Sequence, residues 1–110
     1  MSSSYLPKLS EQKYCPIIKP TKLIGDAWTI LIVKSLLEGS KRFSQIKEEI
    51  PEITSRTLSA RLKFLCENGI IVRKQYEQIP PKVEYNLTVM GRGLKDIIQA
   101  IERFGNMFMC

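Results

Sequence analysis

The chain has 110 residues, 44% hydrophobic and 25% charged, which is enough for one hydrophobic core and too little for two. Seventeen Lys and Arg against eleven Asp and Glu leave a net charge of +6, so the surface attracts polyanions such as nucleic acid or an anionic membrane. Histidine is absent, which excludes the commonest general base, the commonest metal ligand and any Ser-His-Asp or Cys-His arrangement.

The chain starts Met-Ser-Ser-Ser-Tyr-Leu-Pro-Lys with no apolar leader, and the longest apolar run, Ile30 to Val33, is far too short to span a bilayer. A soluble cytoplasmic protein without a membrane partner is expected. Cys15, Cys66 and Cys110 are widely spaced and form no C-x-x-C pair, so neither a metal site nor a disulfide framework is indicated, and a reducing setting fits. No cofactor is expected. Residues 1–14 read as a flexible arm and 15–110 as one domain.

Pro20 begins a short helix to Ile24, since the first turn tolerates a missing N–H. Asp26 caps a second helix, Ala27 to Glu38, closed by Gly39. Apolar almost all round, from Trp28 to Leu37, that helix is expected at the buried centre. Ser44 caps a third, Gln45 to Ile50, stopped by Pro51. Thr54 caps a fourth, Ser55 to Asn68, ended by Gly69. Ile70 to Glu77 and Lys82 to Leu87 read as two strands across Gln78-Ile79-Pro80-Pro81, with Val83, Tyr85 and Leu87 facing in and Lys82, Glu84 and Asn86 facing out. Thr88 caps a last helix running to the C-terminus. Two short helices joined by a tight turn and followed by a hairpin make a helix-turn-helix with a wing, which offers one helix and one hairpin to the same duplex.

Charge follows this plan. Residues 53–92 carry seven basic and three acidic side chains, whereas 26–52 carry four and five. At 100° per residue, Leu58, Leu62, Leu65 and Cys66 share the inner face of the fourth helix. Outward lie Arg56, Ala60, Lys63 and Glu67, flanked by Thr57, Ser59 and Arg61, with Thr54 and Ser55 at its start. Small, hydroxyl and cationic side chains are what a major-groove reader needs. Arg56 is the first candidate for a base contact and Arg61 for a phosphate. Phe64 does not fit base readout and is expected to pack on a neighbouring element. On the hairpin, Arg73, Lys74, Pro81 and Lys82 make a stiff basic tip for phosphates or the minor groove. Leu94, Ile97, Ile98, Ile101, Phe104 and Phe108, with Met90 and Met107, form a stripe longer than so small a core requires. It reads as a homodimer face, which Tyr5, Leu6 and Tyr14 of the arm can extend.

The chain resembles the HxlR-type winged-helix transcription regulators over roughly residues 15 to 105. The matching segments include Cys15-Pro16, Ile24-Gly25-Asp26-Ala27-Trp28, Arg42-Phe43-Ser44-Gln45-Ile46, Ile53-Thr54-Ser55-Arg56-Thr57-Leu58 and Pro80-Pro81-Lys82-Val83-Glu84-Tyr85-Asn86-Leu87-Thr88. The resemblance implies an α+β, mainly α, winged helix-turn-helix with a two-stranded wing and terminal dimerisation helices. It also implies a homodimer on an inverted-repeat operator in double-stranded DNA, with Arg56, Thr57, Ser59 and Lys63 on the recognition helix and Lys82 on the wing. Cys15 is by the same resemblance a candidate sensor of an oxidant or small electrophile, and the neighbouring Lys13 favours its thiolate. An enzyme is not expected, since no G-x-G-x-x-G, P-loop or carboxylate cluster occurs. A winged helix serving only as a protein-interaction module is the rival reading, and it leaves the basic excess of residues 53–92 without a use.

Overall fold

The structure, a computed structural model, describes the backbone of residues 11–110 and the side chains from residue 16 onward. Tyr5 and Leu6 of the expected arm lie outside the described residues. The first helix, α1 (Glu11–Ile24), is longer than expected and takes in both Cys15 and the supposed boundary at residue 14. Pro16 and Pro20 both lie inside it. Each removes a backbone donor, so the sequence reads as a helix start where the helix in fact continues. One turn is tied by the Thr21 hydroxyl, which donates to the Ile17 carbonyl at 2.6 Å.

Helix α2 (Ala27–Leu36) starts as expected, with the Asp26 carboxylate accepting from the Thr29 N–H at 2.8 Å. It is not buried all round. Ile32, Val33 and Leu36 are enclosed, Trp28 and Ile30 are half-buried, and Leu31 is exposed. The N-cap position of helix α3 (Phe43–Glu49) is Arg42 and not Ser44, and no side chain caps from it, since a guanidinium only donates. The Gln45 side chain accepts from the Arg42 N–H at 2.8 Å, which draws the helix start forward. Helix α4 (Ser55–Glu67) keeps its expected cap, the Thr57 N–H donating to Thr54 Oγ1 at 3.1 Å. Beyond its C-cap Asn68, Gly69 adopts φ +75°, a left-handed turn that favours glycine.

Strands β1 (Ile71–Tyr76) and β2 (Lys82–Leu87) pair antiparallel from Ile71 opposite Leu87 to Tyr76 opposite Lys82. Lys41 adds a one-residue rung, exchanging both backbone hydrogen bonds with Tyr85 at 3.0 and 2.8 Å. The expected in-and-out alternation of β2 is absent. Residues 82–86 are all half-buried and only Leu87 is enclosed, since α2 and α3 both lie against β2 and cover it in part.

The last helix is two helices. Thr88 caps a single turn, α5 (Val89–Arg92), and α6 (Lys95–Phe108) follows after Gly93 and Leu94. Thr88 ties this corner: its hydroxyl donates to the Gly69 carbonyl at 2.5 Å and accepts from the Gly91 N–H at 3.0 Å. A Cβ on Gly91 would stand 2.2 Å from the Ile70 carbonyl oxygen, so only glycine lets α5 lie this close to the start of the sheet. The enclosed core is aliphatic, pooling Ile32 and Leu36 of α2, Ile46 of α3, Leu58, Leu62 and Leu65 of α4, Ile70 and Ile71, and Leu94 and Ile98 at the start of α6. Phe64 packs against its edge as expected.

Candidate nucleic-acid interface

The buried leucines of α4 turn its other face outward. Thr54, Ser55, Arg56, Ser59, Ala60 and Lys63 are exposed, and Thr57 is half-buried. Thr54 and Thr57 are already engaged, since Thr54 Oγ1 caps the helix and also donates to Thr57 Oγ1 at 2.9 Å. Arg56 and Lys63 have no carboxylate partner among the described residues.

Arg61 stands differently. Its guanidinium lies 2.9 Å from Asp26 Oδ2, while Oδ1 of the same carboxylate caps α2. One acid therefore joins the N-terminus of α2 to the middle of α4. Arg61 acts first as a positioning residue for the helix, a role without a local sequence signal because the two residues meet only in the fold.

On the wing, Arg73, Lys74 and Pro81 are exposed. Lys82 is half-buried, 3.5 Å from the Glu84 carboxylate. The ammonium groups of Lys74 and Lys82 stand 4.9 and 5.1 Å from the centre of the Tyr76 ring, within cation–π range. Tyr76, unassigned from the sequence, is thus the platform that gathers the two lysines. The cross-strand register puts Glu84 opposite Lys74, so the wing carries less free charge than its lysines suggest. The helix and the wing base meet at a cavity of about 540 Å³ whose lining includes Ser59 and Lys63 of α4 and Arg73 of β1.

Behind this surface a polar cluster braces the α2–α3 corner. Lys41 pairs with Glu38 and Glu49, and the Ser35 hydroxyl donates to Glu49 at 2.6 Å. Burial opposes the Lys41 charge, but hydrogen bonds to Glu38 and Glu49 outweigh it and hold its pKa above the ordinary value. Because Lys41 also carries the rung to Tyr85, the cluster anchors the wing to the helices.

The stripe on α6 divides. Leu94 (8% exposed) and Ile98 (2%) belong to the subunit's own core, not to an outer face. Ile97, Ile101, Phe104 and Phe108 are exposed, with the Phe104 and Phe108 rings 5.1 Å apart. Helix α6 is tied to α2 by the Lys34–Glu102 ion pair. Met107 and Met90 are exposed as well. Among the described residues, no helix is long and apolar enough to cross a membrane.

A helix presented on a trihelical core beside a two-stranded wing defines a winged helix-turn-helix protein. The HxlR-like helix-turn-helix family profile matches residues 23–110, and the chain belongs to that family. The HTH-type transcriptional regulator YdeP of Bacillus subtilis is 37% identical over 94 residues, covering 86% of this chain and 73% of YdeP. Among solved structures, the redox regulator HypR in its oxidized form superposes with a TM-score of 0.82 at 35% identity, covering 87% of this chain and 99% of HypR. The reduced form of YodB, a transcriptional regulator from B. subtilis, superposes at 0.75 with 36% identity, covering 86% of this chain and 94% of YodB. YodB structures also include diamide-treated and quinone-bound forms. The protein is accordingly a transcription regulator of the HTH type and not an enzyme.

Hydrogen bonds from Lys41 and Ser35 hold the Glu49 carboxyl below its ordinary 4.5, against the opposing effect of burial. With a folded-state pKa below the unfolded one, this contribution is present above pH 4.5 and is lost as pH falls through the folded value. Denaturant unfolding across a pH series should therefore find Glu49→Gln less stable than wild type at neutral pH and the gap closing in acid. A gap independent of pH would remove the ionic role of Glu49.

Proposed function

We propose that the protein acts as a cytoplasmic homodimer on an inverted-repeat operator, with α4 in the major groove and the wing on the flanking backbone or minor groove. The observation that carries this reading is the outward face of α4, where Arg56, Ser59, Ala60 and Lys63 stand exposed next to the basic base of the wing. Small side chains permit close approach, and unpaired cations replace counterions on phosphate. Roughly three free cations per subunit, Arg56, Lys63 and Arg73, give a dimer that should lose on the order of 10³-fold in affinity between about 50 and 200 mM salt. Arg56→Ala should cost about 1–3 kcal/mol and relax sequence choice, whereas Lys74→Ala should weaken all sequences alike. Lys82→Ala should have the smaller effect, since Glu84 already holds that ammonium. Binding indifferent to salt and to Arg56→Ala would favour the protein-interaction module instead.

Dimerisation is supported by Ile97, Ile101, Phe104 and Phe108, a row of large apolar side chains left uncovered on one helix. Ile101→Glu with Phe104→Glu should yield folded monomers with little operator affinity, whereas Ile98→Glu should unfold the subunit because it buries a charge in its core. Sedimentation and circular dichroism separate these outcomes. Operator half-sites should lie about one helical turn apart.

Redox or electrophile response is supported by the likeness to HypR and YodB and by Cys15 within α1. The side chain of Cys15 lies outside the described side chains. An electrophile would take up its thiolate in a new S–C bond, altering how the two chains approach one another. Burial pushes the Cys66 thiol up, which slows it as a competing nucleophile. Operator affinity should respond to a quinone in wild type and in Cys110→Ser but not in Cys15→Ser. An equal response in Cys15→Ser would end the sensor role.

A further inference from the structure

The cavity between α4 and β1 has a composition that DNA binding does not require. Its floor is the buried pair Leu62 and Ile71, and its walls include Val72 and Tyr85. At its rim the exposed Lys63 and Arg73 face a single acid, Glu67. Neither cation has a carboxylate partner within ion-pair distance among the described residues. An apolar floor beneath a few convergent polar groups, in a space of about 540 Å³, is the common form of a small-molecule site.

We propose that this cavity binds a small organic monoanion, a carboxylate on an aromatic or branched apolar frame, and that its occupancy weakens the grip of α4 on DNA. The second half rests on the DNA-binding reading given above. An apolar frame is required because Leu62, Ile71 and Val72 offer nothing to a bare phosphate, whose lost hydration they would not replace. A single negative charge is required because Lys63 and Arg73 together exceed Glu67 by one. Neutral frames leave both cations unsatisfied, and dianions meet Glu67. Competition follows from position, since Ser59 and Lys63 belong both to the cavity lining and to the outward face of α4. A bound carboxylate takes up the Lys63 charge and sets a negative group where the DNA backbone would pass. Linkage then makes the effect reciprocal, each ligand weakening the other by the same factor, about tenfold.

The 110-residue chain is titrated with naphthoate, its neutral alcohol counterpart, phthalate and inorganic phosphate. Binding is read by calorimetry, and slow N-ethylmaleimide alkylation of Cys66, a cavity-wall residue, is mapped by mass spectrometry. Naphthoate should bind once per chain, slow Cys66 alkylation and lower operator affinity about tenfold, while the other three do none of these. Val72→Trp fills the cavity from a half-exposed position and Val72→Glu places a carboxylate at its mouth. Either should abolish naphthoate binding; Val72→Trp should leave salt-dependent DNA binding in place, whereas Val72→Glu should lower operator affinity by itself, as a bound carboxylate does. Naphthoate binding unchanged in both variants, failure to protect Cys66, or tighter binding of inorganic phosphate than of naphthoate would overturn the proposal. A chain that binds naphthoate with Cys66 protection but no duplex would fail the DNA reading alone, and one that binds duplex but not naphthoate would fail the cavity alone.

Discussion

Burial of Leu58, Leu62 and Leu65 fixes the rotation of α4 about its own axis, and with it every group the helix presents. Each enclosed leucine contributes about 1.5–3 kcal/mol relative to exposure, so a rotation that brought Arg56 or Lys63 inward would forfeit several kcal/mol and bury an unpaired charge besides. No interaction on the outer face is of that size. The cationic and hydroxyl row therefore faces outward because three leucines cannot. The caps at Thr54 and at Gly69 then set where the helix begins and ends, and Gly69 turns the chain directly into the sheet.

Charge within the domain divides between groups that hold the fold in register and groups left for a partner. The Asp26–Arg61 pair is partly solvated, so its stability contribution is about 0–1 kcal/mol. Its importance is geometric, since the same carboxylate caps α2 and holds α4. Lys41 plays the corresponding part for the wing, its ammonium among Glu38 and Glu49 and its backbone paired with Tyr85. Counting lysines and arginines along the chain locates the basic region correctly, yet it overstates the free charge, because Arg61 and Lys82 already have acidic neighbours.

What the sequence discloses is what neighbours along the chain decide. Asp26, Thr54 and Thr88 were legible as caps because each accepts from an N–H three residues on, and the leucine stripe of α4 was legible from its period. Elements were misread where a local rule was overridden. Pro16 and Pro20 sit inside α1, and Gly93 and Leu94 separate α5 from α6 without disturbing the apolar spacing that runs across them. The stripe on α6 was visible but not its division, because Leu94 and Ile98 lie one strip round from Ile97 and Ile101. Only tertiary packing decides which strip meets the subunit's own core. The Asp26–Arg61 link, the Lys41–Tyr85 rung and the cavity join residues far apart in the chain, and periodicity carries no trace of them.

Helix α2 connects these pieces. Its N-terminal acid holds α4 through Arg61, its Ile32, Val33 and Leu36 share the core with the α4 leucines, and its Lys34 pairs with Glu102 of α6. The uncovered apolar row of α6 and the outward face of α4 are thus fastened to one helix, from different sides. Close-packed protein interiors do not deform smoothly under small loads. In a dimer built on α6, a change in how the two copies pack would move α2 as a unit and carry α4 with it. The spacing between reading helices would then change, while the contacts that each helix offers would not.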